Sequence, residues 1–597
     1  MDNLDQARLT ETLIRRFTLI YKTFTAISLA GVVAVIALAH YYGAGYLNGL
    51  YLLFIPVTGT IYAYVRLKYY KKLLQIQVSW GREEKRKRDF SMIRKLNDAT
   101  SRYENSYRVD DQTWQDLHFD LIYTRIDRTL TVPGEAFLYR LLRSPLLDEK
   151  QLIARDTLIK VFQDDVNFRE KSRMVFHQEG RDRFREITSL LWDEIPPVKP
   201  YHYLYAILGY LSYLSLVTPF FIGYNSIIVI LAVFAVNSYI HYRENKKYSN
   251  YLPAITQLGV LLGTAKKIVK IEHNALSSYK EDLKTALTKT RIISRHTQLL
   301  FQKAVTSDTD IIYEYIKIFF LLEVRSFYRT IKEIQLRIEP LRTIYNIIGE
   351  LDAAQAIASY REGLSHYTKP RFINSSAELR IESGYHPLIE NAVTNSIVIK
   401  DKGILITGSN MSGKSTFLRT VGVNVILAQT IYTCFADNYE AGFLKVSSSI
   451  SKSDDLTLGK SFYYLEAERL LKLVHSADSH IPSILIIDEL LSGTNYIERL
   501  AASEAILEFL IKQNCLVVVA THDLDLAGKL LHTYQCYHFT DLVTKEGLNF
   551  DYKLREGITR TRNAIKLLDY LNYPQQIVDK ATSNIADFVD NDLEDSS

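Results

Sequence analysis

Residues 24–42, FTAISLAGVVAVIALAHYY, run for about the thickness of a bilayer core without a charge. Residues 46–65 repeat the pattern after the tight link Gly43-Ala44-Gly45. The same design recurs at 203–222 and 226–240, joined by Gly223-Tyr224-Asn225. A run of this kind satisfies its own backbone as a helix and needs an apolar surrounding for its side chains. The expectation is four membrane spans in two hairpins; the alternative is two pairs of core helices buried in a water-soluble protein.

Basic residues flank both hairpins: Arg15, Arg16 and Lys22 precede the first, and Arg66, Lys68, Lys71 and Lys72 follow it. Lys199 precedes the second, with Arg243, Lys246 and Lys247 after it, and neither tip carries a charge. The positive-inside bias then places both termini and all large segments in the cytoplasm, as expected of a multi-pass protein of a bacterial inner membrane. Tyrosines at the ends of the runs (Tyr41, Tyr42, Tyr62, Tyr64, Tyr203, Tyr239, Tyr242) fit an interfacial belt. The first run is long, begins late and is followed at once by another, unlike a cleaved leader.

At 597 residues the chain exceeds one ordinary domain, and 23% charged against 47% hydrophobic residues excludes a disordered or fibrous class. A net charge of +5 does not announce a nucleic-acid binder. Cys434, Cys515 and Cys536 lack metal-site spacing and suit a reducing cytosol. The basic run 79–96 (SWGREEKRKRDFSMIRKL) reads as a solvated helix face beside an anionic leaflet or, alternatively, as a DNA-phosphate contact. Helices are expected at 117–126 and 134–144, and mostly helical structure at 250–367. From Arg371 the pattern changes to alternating strands and helices, and 587–597 is an acidic tail expected to lack regular structure.

Within that α/β region, GILIT (Gly403 to Thr407) is a buried strand and 417–429 a helix, with G-x-x-x-x-G-K-S between them. The loop Gly408, Ser409, Asn410, Met411, Ser412, Gly413, Lys414, Ser415, Thr416 is expected to cradle phosphates with backbone N–H groups at a helix N-terminus. Lys414 is assigned to the β- and γ-phosphates and Ser415 to Mg²⁺. SILIIDE, a strand ending at Asp488 and Glu489, supplies a second Mg²⁺ group and a carboxylate to polarise the attacking water. LVVVA at 516–520 leads to His522, placed to sense the γ-phosphate or its water. The catalytic set is Lys414, Glu489 and His522; the cofactors are ATP and Mg²⁺.

GSNMSGKSTFLRTVGVNVILAQ resembles the phosphate-loop segment of the MutS mismatch-repair ATPases, usually GPNMGGKST. DELLSGTN is similar to their DELGRGT, ATHDLDLA to their ATHYHEL, and DDLTLGKSF (Asp454 to Phe462) to DDL-x-x-G-x-STF. The resemblance implies that Ser461 reaches the γ-phosphate of a partner, hence a homodimer with two composite sites. LDAAQAIASYREGLSHYTKPRF resembles the end of the family's lever helices, SGYHPLIE the segment before its ATPase sheet, and DRTLTVPGEAFLYRLLRSPL its core-domain entry. Coverage is about 115–200 and 250–580, interrupted by the second hairpin.

Several family features are absent. The mixed α/β mismatch-recognition domain with its Phe-x-Glu wedge has no counterpart, since apolar runs fill much of the first 115 or so residues. Phe168-Arg169-Glu170 and Phe184-Arg185-Glu186 match the string but read as ordinary helix residues. About 100 residues between the second hairpin and Leu351 are short for lever arms plus a DNA clamp, and the aromatic that packs on adenine is replaced near Ala392-Val393.

The expected fold is an α/β P-loop ATPase domain of the MutS C-terminal type, plus an all-α core and lever region and four transmembrane helices. The segments are 1–23 cytoplasmic, 24–65 first hairpin, 66–110 basic linker, 111–200 core, 201–242 second hairpin, 243–369 helical core and lever, 370–582 ATPase and 583–597 tail. The function implied is a membrane-anchored, dimeric ATPase that contacts DNA through its phosphates without sequence preference, in a mismatch-repair-like role with a repair or membrane partner. The alternative is a membrane-bound ATPase that drives a membrane process or partner without DNA. A transporter of the ABC class is disfavoured because no LSGGQ-like signature precedes Ser483.

Overall fold

The computed structural model describes the chain except residues 1–2, 102–106, 180–186, 193–194, 196, 199–200, 301–308, 374–376, 410–411, 451–461, 478–479, 545–546, 559–567, 569, 572 and 595–597. It divides into two compact units, one of residues 1–104, 127–139 and 157–363 and one of residues 105–126, 140–156 and 364–597.

The first unit is helical. The helices Asn3–Tyr42 and Phe54–Ser79, joined by the 3₁₀ segment Ala44–Leu53, pack along each other. Phe17 stacks on Tyr70 at 5.4 Å between ring centres, and Phe24 fills the space beside Gly59. Much of their apolar surface faces outward. Among the described residues three helical stretches, rather than the four expected, are long and apolar enough to cross a membrane: Asp5–Tyr42, Ala44–Ser79 and Pro219–Val269. The leg expected at 203–222 breaks, because the helix His202–Ser215 ends in a turn before the short helix Pro219–Ile222. Its 14 residues make about 21 Å of helix, short of the roughly 30 Å of a bilayer core.

The other end of this unit is built on the helix Ile338–Glu362, buried almost throughout its second half. Asp352, fully buried there, accepts from Leu130 N (2.9 Å), Thr131 N (2.7 Å) and Thr131 Oγ1 (2.6 Å). These bonds fix Thr131, whose Oγ1 accepts from Gly134 N (3.0 Å) and so caps the first turn of the helix Val132–Arg143. Gly134 is required because a Cβ would lie 2.1 Å from Asp352 Oδ2. The carboxyl is nonetheless pushed up to about 6 by burial, against the lowering effect of these bonds.

The basic run is neither a continuous helix nor wholly solvated, for residues 83–89 are irregular. Arg86 and Arg88 turn onto buried Asp127, Arg88 through Nε at 3.1 Å, and Arg86 also reaches Glu135. Removing two arginines from water is tolerable only with such a partner, so these two are structural. Phe168 is buried, Arg169 lies 4.3 Å over the Trp80 ring and Glu170 accepts from Gln77, all ordinary helix roles. Phe184, Arg185 and Glu186 lie outside the described residues.

The second unit is α/β. Its strands are β1 Arg371–Phe372, β2 Leu379–Gly384, β3 Asn395–Ile399, β4 Gly403–Thr407, β5 Asn438–Ala441, β6 Lys445–Ser449, β7 Ser483–Asp488, β8 Cys515–Ala520, β9 Tyr534–Thr544 and β10 Gly547–Glu556. A small sheet has the order β1-β5-β2-β3, and the main sheet β10-β9-β4-β8-β7-β6. In the main sheet β9, β4, β8, β7 and β6 are parallel and β10 is antiparallel. β4 and β8 are buried at every position and β7 at all but its last, which is why they read as unbroken apolar runs. Parallel order brings the C-terminal tips of β4, β7 and β8 to one edge, where ligands of open α/β sheets bind.

The stretch expected as one core segment, 111–200, divides between the two units. Tyr107, Thr113 and Asp116 belong to the second unit, where they cover the free edge of β6. Tyr107 OH donates to Val446 O (2.9 Å) and accepts from Val446 N (2.7 Å), Thr113 Oγ1 accepts from Ser448 N (3.0 Å), and Asp116 Oδ2 accepts from Ile450 N (2.9 Å). An uncovered sheet edge would pair with other chains. At the other end of the sequence, a helix spans Gln575–Glu594 where the acidic tail is expected to lack regular structure.

Candidate functional site

The phosphate-loop residues sit between β4 and the helix Lys414–Ile431. Gly408 and Gly413 have φ of 145° and 108°, a region that disfavours side chains, and a Cβ on Gly408 would lie 2.9 Å from Phe539 O. Lys414, almost fully buried, donates from Nζ to Gly408 O (2.6 Å) and Ser409 O (2.8 Å). Ser409 Oγ and Ser412 Oγ are buried without a hydrogen-bond partner among the described residues. A loop with strained glycines, a buried ammonium and unsatisfied hydroxyls fits a polyanion. Asn410, Met411 and Ser461 lie outside the described residues.

Ser415 Oγ donates to Asp488 Oδ2 across the gap between the Lys414–Ile431 helix and the tip of β7. Two hard oxygens side by side match what Mg²⁺ takes alongside phosphate oxygens. Burial holds the Asp488 carboxyl above its ordinary range, against the bond from Ser415. Glu489 is bent into left-handed conformation (φ 59°) and tied by its N–H to Ala520 O at 2.9 Å. Strain at a non-glycine residue persists only where its surroundings enforce it; here it turns the carboxylate to His522, whose Nδ1 lies 2.9 Å from Glu489 Oε1. That bond is the main cause of the raised affinity of His522 for its proton, opposed by burial.

Sequence patterns missed what stands behind this pair. Arg499 grips Asp523 with two bonds, Nε to Oδ2 at 3.1 Å and Nη2 to Oδ1 at 3.0 Å, both side chains being largely buried. Asp523 Oδ1 is also 3.9 Å from His522 Nε2. Helix Tyr496–Leu510, capped by Asn495, presents Arg499. A bidentate fork fixes geometry as well as charge, so it holds the end of β8 against that helix.

A cavity of about 780 Å³ opens over these groups, lined by Lys414, Ser415, Asp488, Glu489, Phe539 and Tyr552 among others. Its volume is of the size that takes a nucleotide-sized ligand. Ala392 and Val393 line it where the sequence lacks an aromatic, and Tyr552 and Phe539 supply rings from β10 and β9. Tyr552 sits at φ 53° in the irregular stretch of β10 between Phe550 and Leu554, which no local pattern signals. His386, of the HP pair in SGYHPLIE, is another unforeseen lining residue; burial and nearby Arg419 push it down to about 4. Its Nδ1 accepts from Leu388 N at 3.3 Å.

Residues 404–589 match the family model for MutS domain V. The chain is 31% identical over 249 residues to the DNA mismatch repair protein MutS of Thermus thermophilus, covering 41% of this chain and 30% of that protein. To the protein of the same name from Thermotoga petrophila it is 32% identical over 272 residues, 44% of this chain and 33% of the relative. The match to that of Chloroflexus aurantiacus is 27% over 280 residues, 45% and 29%. The chain thus spans about a third of the length of these relatives. Its C-terminal half is a homologue of the MutS proteins at about 30% identity and carries their domain V.

Proposed function

We propose that the chain is an ATP-hydrolysing protein of MutS type, held at a membrane by its apolar helices and active as a dimer. The observation that carries this reading is the meeting of Lys414, the Ser415–Asp488 pair and the Glu489–His522 pair around one cavity. Lys414 and the loop N–H groups bind and orient the β- and γ-phosphates of ATP. Ser415 and Asp488 would hold Mg²⁺, which when bound offsets charge on the phosphate oxygens. Glu489 draws a proton from the attacking water, and His522 keeps that carboxylate directed and accepts part of the charge. Ser461, in this reading, completes the site of the partner. Both termini and the α/β unit lie on the cytoplasmic side.

The names of the relatives support a repair-related role with contact to DNA phosphates. A specific observation favours the second reading, a membrane process or membrane partner driven without DNA: Arg86 and Arg88, the centre of the basic run, are consumed by Asp127. The deciding experiment is ATP turnover by the detergent-purified protein with and without duplex and mismatched DNA across a salt series. Stimulation that fades as salt rises supports phosphate contact. Turnover indifferent to DNA at low salt removes DNA from the function and leaves the membrane reading. No turnover under any condition overturns the ATPase itself.

A further inference from the structure

The helix Ser226–Tyr248 is apolar through residue 236 and then carries Asn237, almost fully buried. In the neighbouring helix His202–Ser215, Ser212 is fully buried as well. Both side chains point to one atom. Asn237 Nδ2 donates to Phe319 O at 2.6 Å and to Ser212 Oγ at 2.8 Å, and Ser212 Oγ lies 2.7 Å from Phe319 O. Phe319 is the last residue of the helix Thr309–Phe319, which the apolar pattern of the sequence does not mark as membrane-associated.

That helix ends abruptly. Leu321 adopts left-handed backbone (φ 50°) and the next helix, Leu322–Leu336, begins at once. A helix C-terminus leaves carbonyls without intrahelical donors, which is costly wherever water is excluded. Here they are supplied. Ile316 O accepts from Phe320 N (3.1 Å), Ile318 O from Leu321 N (3.1 Å) and Leu321 O from Arg325 N (3.0 Å). Gly209 admits this break: a Cβ there would lie 2.8 Å from Phe320 O.

The depth of the helix follows from its partners. Tyr315 and Phe319 both pack on Phe234, with ring centres 6.1 and 6.3 Å apart. Phe234 precedes the first basic flank, Arg243, by nine residues, which is about 13 Å of helix. At that level Tyr315 and Ile316 are exposed. Lys317 Nζ bridges Glu314 (2.5 Å) and Glu323 (2.8 Å), and Glu323 is within 4.0 Å of His241 near the basic flank. A lysine so placed reaches toward the interface while its stem stays apolar.

We propose that residues 315–321 enter the bilayer beside the second apolar hairpin without crossing it, the exposed Tyr315 and Ile316 against lipid acyl chains, and that Asn237 and Ser212 cap the Phe319 carbonyl inside the membrane. This rests on reading the Ser226–Tyr248 helix as membrane-inserted. It gives the two polar side chains within apolar helices a purpose, and makes the inserted helix continuous in sequence with Leu322–Leu336 and Ile338–Glu362.

The test uses the full chain in phospholipid vesicles with a nitroxide on one introduced cysteine, the native Cys434, Cys515 and Cys536 being buried. The positions are Tyr315→Cys, Ile228→Cys as a bilayer reference and Lys402→Cys as an aqueous reference. The Tyr315 label is expected to collide with oxygen and to lose collisions with a water-soluble nickel complex, like the Ile228 label. A Tyr315 label that behaves like that at Lys402, with Ile228 still lipid-like, overturns the proposal alone. An aqueous Ile228 label overturns the membrane reading beneath it. Adding Asn237→Leu is expected to raise mobility and nickel collisions at 315 and leave 228 unchanged; no change at 315 overturns the capping role.

Discussion

The two compact units use the same aliphatic residues in opposite ways. Ile404, Ile486 and Val518 in β4, β7 and β8 are at most 1% exposed, whereas Leu29, Ile55 and Ile228 in the apolar helices are 68%, 72% and 70% exposed. In water each outward leucine or isoleucine forgoes about 1.5–3 kcal/mol of burial. The α/β unit thus has a core of its own, while the apolar helices of the other unit leave many of their large side chains outward. The contrast teaches that the same residue types close a core in one unit and are left facing outward in the other.

The comparison can be broken from either side. Lys414→Ala should lower ATP turnover by at least roughly a hundredfold, the scale of losing a group that stabilises transition-state charge, and leave membrane recovery unchanged. Measured turnover close to wild type would mean that the cradle is misassigned. The converse variant, Leu29→Arg, places a charge in the first apolar helix at a cost of about 2.5–3.5 kcal/mol on insertion scales. Its membrane fraction should fall while nucleotide binding by the α/β unit persists. Unaltered fractionation would count against that helix crossing the bilayer.

Two smaller effects sharpen the picture inside the α/β unit. His386 is depressed to about 4 from an ordinary 6.5. The folded form therefore binds fewer protons than the unfolded chain between these values. Its contribution is fully present above pH 6.5 and is lost as pH falls toward 4, up to about 3 kcal/mol. His386→Gln should flatten that part of the unfolding profile of the α/β unit; an unchanged slope would place the acid sensitivity elsewhere. Least of all, Asp523→Asn should cut kcat by about tenfold, 1.4 kcal/mol, with KM for ATP unchanged, because Asp523 and Arg499 position His522 without touching phosphate. A rise in KM alone would assign the pair to binding instead.

Much of the site was legible because its parts are local. The glycines of the loop, the strand before Lys414 and the acids at the end of β7 each follow from a few adjacent residues, and the structure brings Lys414, Ser415, Asp488, Glu489 and His522 together as expected. Arg499 and Asp523 were not legible, since 24 residues separate a pair joined only by tertiary packing. Tyr552 was hidden for another reason: its place over Gly413 comes from an irregularity in β10. The apolar runs were legible by length, yet the break after Ser215 depends on packing against the 309–336 helices, which hydropathy does not carry.

By itself the sequence determined where the long apolar runs lie and which residue types form the loop between β4 and the helix Lys414–Ile431, because hydrophobic periodicity and loop composition act over short stretches. Tertiary structure alone decided which side chains hold that chemistry in place. It also decided that Tyr107, Thr113 and Asp116 seal the edge of β6, that Arg86 and Arg88 turn inward and that Asn237 finds a carbonyl 82 residues away. Such pairings join residues remote in sequence. Their physical cause is the cost of leaving buried donors, acceptors and charges unsatisfied, which is settled only when the elements pack.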